Sequence, residues 1–257
     1  MDFSEAVLLG LLQGFAEWLP VSSEGLISLV SKLFFGRGLE TALASAIWLH
    51  VGTLFSALVY MRREVWLVAR GFVEKGRGRR LLIFLLIATA GSAATALPVF
   101  MAFRQVLVSD WLFTVLVGLF LILTGLMPRK PLFSGVDENI KTGIVVGLIQ
   151  GFSIIPGVSR SGITISALLL LGAPPHEAFR LSYLMSIPVV AGAQVLLPLL
   201  LEVSTLTGEM LVGAAASFVA GLLTMKLLLT ASAKLNPRLL MIPMGCLIFS
   251  LGLWMAV

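Results

Sequence analysis

Charge is what this sequence has least of. Only 12% of its 257 residues are Asp, Glu, Lys or Arg, against about 25% in ordinary soluble chains. A water-soluble domain of this size could not cover its surface with so few. The one cysteine, Cys246, lies inside an apolar run, which excludes an intramolecular disulfide and a cysteine-based metal site. Disorder and a collagen-like chain are excluded by the same composition. The net charge of +5 is spread along an apolar chain and leaves no nucleic-acid footprint. What is abundant is hydrocarbon, with 58% hydrophobic residues and a mean hydropathy of +1.04. The chain reads as an all-α polytopic membrane protein, one membrane domain over residues 1–257.

A spanning helix needs about 20 mainly apolar residues, with a usual range near 17–25. Six stretches qualify: Thr41–Met61, Leu81–Phe103, Trp111–Met127, Leu181–Leu201, Met210–Ala233 and Leu239–Val257. Pro98, Pro188, Pro198 and Gly221 fall inside them and predict kinks, which membrane helices tolerate. Lys226 sits late enough in the fifth to snorkel to an interface.

Two more apolar regions do not fit a span. Phe3–Phe35 is interrupted by Pro20-Val21-Ser22-Ser23-Glu24-Gly25, and Ile144–Gly172 by Pro156-Gly157-Val158-Ser159-Arg160-Ser161-Gly162. Each half is too short to cross alone. Proline removes a backbone donor and glycine eases unusual dihedrals, so helices should stop there. Both regions are read as re-entrant helical hairpins, with their freed backbone groups facing protein or water.

The basic residues test this topology. With the termini outside and both hairpins re-entrant, loops 62–80, 128–143, 174–180 and 234–238 are cytoplasmic and hold thirteen of the eighteen Lys and Arg. The outer side keeps Lys32, Arg37 and Arg104. Making either hairpin a true span would scatter the basic loops over both sides and abolish the positive-inside bias. Asp2 and Glu5 replace a basic n-region, which argues against a cleaved signal peptide.

Shifted by 137 residues, the chain matches itself. Gly10-Leu11-Leu12-Gln13-Gly14-Phe15 falls on Gly147-Leu148-Ile149-Gln150-Gly151-Phe152, Val21-Ser22 on Val158-Ser159, and Gly25 on Gly162. Eight of sixteen positions agree, including a glutamine and three glycines that apolar bias alone would not match. Repeat 1 (1–127) is hairpin 3–35 plus three spans, and repeat 2 (141–257) is hairpin 144–172 plus three spans. The hairpins enter from opposite faces, so the copies are inverted. In such proteins the broken helices meet near the midplane and build the site.

Charge inside membrane segments is costly and marks function by default. The first break carries Glu17, Ser22, Ser23 and Glu24, and the second Ser159, Arg160, Ser161 and Thr164. Tip to tip these supply a carboxylate, hydroxyls, a guanidinium and free backbone N–H groups, a set that suits phosphate or diphosphate. The carboxylate would repel an anion unless it acts as a base or holds a metal ion. Gln13 and Gln150 are weighed as groups that merely satisfy freed backbone, and His50 as a hydrogen-bonded core residue. Lys226 reads as a snorkelling residue and the 62–80 run as a topology determinant touching anionic lipid.

Gln13-Gly14-Phe15-Ala16-Glu17-Trp18-Leu19-Pro20-Val21-Ser22-Ser23, followed by Gly25, resembles the (E/Q)xxxE and PxSS signature of the undecaprenyl-diphosphate phosphatase family, BacA or UppP. Pro156-Gly157-Val158-Ser159-Arg160-Ser161-Gly162-Ile163-Thr164 is similar to its PGxSRSGxT motif. The resemblance covers essentially the whole chain and implies six spans, two re-entrant hairpins and inverted repeats. It implies hydrolysis of a polyprenyl diphosphate to the monophosphate at a site open to the outer face of the plasma membrane. That reaction recycles the lipid carrier for cell-wall or surface-glycan synthesis and confers bacitracin resistance.

Carried over by motif, Glu17 is the required carboxylate and metal position, with a divalent cation (Mg or Ca) as cofactor. Ser23 is the nucleophile or water-positioner, and Arg160 holds the phosphates. Gln13, Ser22, Ser159, Ser161, Thr164, Gly157 and Gly162 fall at substrate-binding positions. The family's histidine after Gly25 is Leu26 here, and Leu cannot transfer a proton, so Glu24 and His50 are the candidates for proton handling. The partners expected are the lipid substrate and the bilayer, with no nucleic acid, and a homodimer is left open. A transporter or flippase for polyprenyl phosphate, using the same cradle without hydrolysis, is the rival reading. A catalytically dead lipid-binding homologue is the third.

Overall fold

The computed structural model describes residues 1–103, 110–127, 131, 135, 138–200, 207–232, 234, 236 and 238–256, and all regular structure among them is helical. Arg104, Arg129 and Lys130, three of the basic positions used for topology, lie outside the described residues. In chain order the helices are α1 Phe3–Ala16, α2 Ser23–Phe35, α3 Leu39–Tyr60, α4 Arg62–Arg70, α5 Arg77–Phe103 and α6 Asp110–Leu126. They continue as α7 Ile140–Gly151, α8 Arg160–Leu170, α9 Pro175–Leu200, α10 Gly208–Ala231 and α11 Arg238–Trp254, with a 3₁₀ turn at Phe152–Ile154 after α7.

Four helices are long and apolar enough to cross a bilayer: Thr41–Tyr60, Arg77–Ala102, Pro175–Leu197 and Gly208–Ala231. The other two expected spans are α6 and α11, with 17 residues each. Among the described residues, each stands at the lower limit of the roughly 17–25 residues that usually span. Pro98 and Pro188 do not end their helices, since α5 and α9 run through them.

The stretch 62–80, expected as a basic loop, contains α4. Val65, Leu67 and Val68 of α4 pack on the core while Arg62, Arg63 and Arg70 stay exposed, so the basic run is an amphipathic helix before it is a loop. α5 likewise starts at Arg77, ahead of the apolar run. Hydropathy marks what can be buried in lipid, whereas the helix extends as far as its backbone hydrogen bonds do.

Each helix before a break packs along one long helix through small residues. α1 lies on α10 and α7 on α5. A Cβ at Gly14 would stand 2.5 Å from Ala220 Cβ, and one at Gly147 would strike the backbone of Ala88. Close backbone approach of this kind drives helix association where lipid removes the hydrophobic incentive.

The ends of the first broken region are fastened together. Asp2 caps α1 by accepting the Glu5 N–H at 2.8 Å. Arg37, just beyond the end of α2, donates to both Glu5 carboxylate oxygens at 3.0 and 2.7 Å. The chain therefore returns to the level at which it started, and α1 and α2 form a hairpin. The largest buried cluster joins Trp18 in the first break to Phe84 on α5 and to Phe179 and Tyr183 on α9. That packing fixes the depth and orientation of the tip.

Candidate active site

α1 ends at Ala16, four residues before Pro20, and Glu17–Pro20 form a turn. Proline disfavours helical dihedrals in the residue before it, so the helix gives way earlier than the proline itself. The carbonyls freed by that turn must be satisfied away from water. Trp18 O accepts from Tyr183 Oη at 3.0 Å and Leu19 O from Ser161 Oγ at 2.9 Å. The donors come from α9 and the second break, so carbonyls at the turn of one tip help fasten it to the other.

The charged side chains meet at this junction. Arg160 Nη2 donates to Glu17 Oε1 at 2.6 Å, although 143 residues separate them. Glu17 Oε2 accepts from Ser23 Oγ at 2.8 Å and from Gln13 Nε2 at 3.0 Å, and His50 Nε2 stands 3.0 Å from it. Arg160 is steadied by Ser182 O at 3.4 Å and by the Trp18 ring, whose centroid is 5.7 Å from Cζ. Trp18 in turn meets Tyr183 edge-on, 5.0 Å between centroids. A carboxylate 7% exposed, with a guanidinium on one oxygen and a hydroxyl on the other, is poised both to accept a proton and to yield its cation to a phosphate.

These groups form the polar end of a cavity of about 270 Å³. Glu17, Ser22, Ser23, Glu24, His50, Ser159, Arg160 and Ser161 all line it. Its other walls are mostly apolar, with Ala96, Leu97 and Phe100 of α5 and Val189, Val190 and Leu197 of α9 among them. Polar headgroup chemistry and an apolar channel thus share one space.

The remaining candidates stand behind that surface. Gln13 reaches the cavity only through Glu17. Thr164 is fully buried and bonds Arg160 O at 2.7 Å and Ser182 Oγ at 2.6 Å. Gly157 turns the chain at φ 94°, where a Cβ would stand 2.5 Å from Val117 Cα. Gly162 donates its N–H to Ser159 Oγ at 3.2 Å. These residues shape the tip and do not line the cavity. Gln150, the repeat partner of Gln13, lines it but donates to Ser92 Oγ at 2.8 Å on α5.

Glu17 does not fit as a metal ligand in this arrangement. Arg160 holds one oxygen and three donors crowd the other, whereas a hard cation needs free carboxylate lone pairs. Among the described residues no three His, Cys, Asp or Glu side chains stand together as a cation site.

Trp18, Tyr183 and Ser182 were not candidates on sequence. The signal available for the last two was Ser182, Tyr183 and Ser186 grouped within about one turn of the span Leu181–Leu201, all of them buried. Polar residues at that spacing mark a helix face turned to protein rather than lipid.

Known proteins match this chain along nearly its full length. An undecaprenyl-diphosphatase of Methanococcoides burtonii is 40% identical over 96% of this chain and 97% of its own. Those of Methanothrix thermoacetophila and Pyrobaculum aerophilum are 37% and 34% identical, each over 98% of this chain and over 97% and 98% of their own length. The family described as bacitracin resistance protein BacA matches residues 6–252, and this multi-pass membrane chain belongs to it.

Proposed function

We propose that the protein hydrolyses undecaprenyl diphosphate, or a closely related polyprenyl diphosphate, to the monophosphate. The observation that carries this reading is Glu17 held between Arg160 and Ser23 at the head of an apolar cavity. The diphosphate enters at the tips, and Arg160 exchanges its bond to Glu17 for the phosphate oxygens, with the Ser159 and Ser161 hydroxyls beside it. Glu17 then accepts the Ser23 hydroxyl proton as Oγ attacks the terminal phosphorus. The bond from that phosphorus to the bridging oxygen breaks, and the polyprenyl monophosphate leaves with the electron pair. The leaving monophosphate takes the proton from Glu17, which is a carboxylate again. Water then gives a proton to Glu17 as its oxygen attacks the phosphorus on Ser23. The bond from that phosphorus to Oγ breaks to free inorganic phosphate, and Oγ takes the proton back from Glu17. Arg160 and the first N–H groups of α8 hold the phosphates in place, and the first N–H groups of α2 face the charge that develops on the attacked phosphate.

The same reading places six membrane-crossing helices around two re-entrant hairpins in inverted repeats. Its support is that α1 and α7 start at Phe3 and Ile140, and α2 and α8 at Ser23 and Arg160, each pair 137 residues apart. The site opens to the outer face, where both termini lie. In support, the cavity runs toward the C-terminal ends of α5 and α9, away from the basic segment that precedes α5. The lipid tail follows the groove between those two helices.

The test is phosphate release from undecaprenyl diphosphate by the purified protein and by Glu17→Gln and Arg160→Ala. Release that falls at least about 10³-fold in both variants is the expected result. No release by the unaltered protein, with labelled polyprenyl phosphate moving between leaflets in liposomes, would replace hydrolysis by transport.

A further inference from the structure

Glu17 has a partner that belongs to neither broken helix. His50 lies on α3, mid-helix, and is 8% exposed. Its Nδ1 is 2.6 Å from Ala46 O, one turn back on the same helix, and its Nε2 is 3.0 Å from Glu17 Oε2. A carboxylate offers only lone pairs, so Nε2 is the donor in that contact. Glu24 Oε1 stands farther off at 4.0 Å.

We infer that His50 is a positioning residue for the proposed hydrolysis, acting through Glu17. The terminal torsion of a glutamate is soft, with a broad range of rotations at little cost. Arg160 alone, pulling on Oε1, leaves the carboxylate free to turn about that contact. Gln13 does not fix the plane either, because its own amide hangs from a flexible chain in α1. His50 is different: its ring is held at both nitrogens, one by backbone and one by Glu17. It therefore ties the carboxylate plane to α3, a helix independent of the tips, and leaves an Oε2 lone pair aimed at the Ser23 hydroxyl. Misplacing a reacting group by about 1 Å costs about 10²-fold in rate, which is the scale expected here.

This inference rests on the hydrolase reading, and the experiment separates the two. His50→Leu keeps volume and apolarity and removes the donor. It should lower kcat about 10²-fold with KM within about 3-fold. His50→Gln restores an N–H donor, and its kcat should return to within about 10-fold of the unaltered protein. Unchanged kcat in His50→Leu, a loss carried by KM, or a Gln variant as poor as the Leu variant would each overturn the role while leaving hydrolysis intact. The contact is also read without turnover. The chain has only two histidines, so ¹⁵N-histidine NMR in nanodiscs gives His50 and an exposed reference, His176. Glu17→Gln should move the His50 ring signals and leave those of His176 in place. A His50 signal indifferent to Glu17→Gln overturns the inference, whether or not the protein releases phosphate.

Discussion

Ser22 and Ser159 occupy the same position in the two copies of the sequence repeat, yet they do opposite things. Ser159 has extended dihedrals, φ −64° and ψ 115°, and caps α8 by accepting the Gly162 N–H. Ser22 is left-handed, φ 59° and ψ 81°, and its side chain caps nothing at the start of α2. In the second break the unusual dihedral falls instead on Gly157, which tolerates it. A left-handed non-glycine residue costs on the order of 1–3 kcal/mol and persists where its surroundings enforce it. The strain sits immediately before Ser23, beside Glu17. One tip is thus a relaxed, capped binder that presents a guanidinium, and the other is a strained, uncapped tip that presents a carboxylate and a hydroxyl.

The sharpest way to break this division is kinetic. Ser23→Ala should lower kcat by about 10³-fold or more with little change in KM, because it removes the attacking group of the proposed reaction. Arg160→Lys should act mainly on KM, raising it about 10- to 100-fold, because an ammonium cannot reproduce the planar fork or its seat on Trp18. Steady-state kinetics on both variants decide the matter. If the lysine variant loses kcat alone, the second tip takes part in chemistry and the division is wrong.

A smaller effect separates the tips through their shared neighbour, Val117 on α6. A Cβ on Gly157 would meet the Val117 backbone, Cα and O each at 2.5 Å, and would also have to adopt φ 94°. A Cβ on Gly25 would, on that helix, meet only the Val117 side chain, Cγ1 at 2.5 Å, and needs no left-handed dihedral. Gly157→Ala should therefore cost about 3 kcal/mol and Gly25→Ala about 1 kcal/mol. Thermal denaturation in detergent micelles ranks the two, and equal losses would mean that α6 does not press on the second tip through its backbone.

The tips were legible because their signals are local. Proline, glycine and serine in the middle of apolar runs mark a broken helix wherever they occur, and the 137-residue repeat pairs the two breaks. The meeting of Glu17 and Arg160 followed from that pairing, because inverted broken helices converge. What escaped depends on how helices rotate against one another. Nothing in Thr41–Met61 says which face of that helix turns to Glu17, so His50 read first as core and, beside Glu24, only as one of two candidates for proton handling. Gln13 and Gln150 are identical in the alignment, yet one bonds Glu17 and the other Ser92, because α1 packs on α10 and α7 on α5. The ends of α4 and α5 escaped for a simpler reason, since their basic residues are helical without being apolar.

The smallest predicted effect carries the comparison to single backbone positions. Ser22→Gly removes the penalty of a left-handed serine and forfeits no cap, because Ser22 makes none. It should stabilise the protein by about 1 kcal/mol, a shift of roughly 2–4 °C in a chain of this size. Ser159→Ala removes a working cap and should destabilise by about 1 kcal/mol. Two serines matched in the repeat then give changes of opposite sign in the same melting experiment. A Ser22→Gly variant that melts lower than the unaltered protein would show that the hydroxyl holds the tip in some way other than capping. The left-handed turn would then be sustained by that bond and not imposed on the serine by the packing of Trp18 and α9 around it.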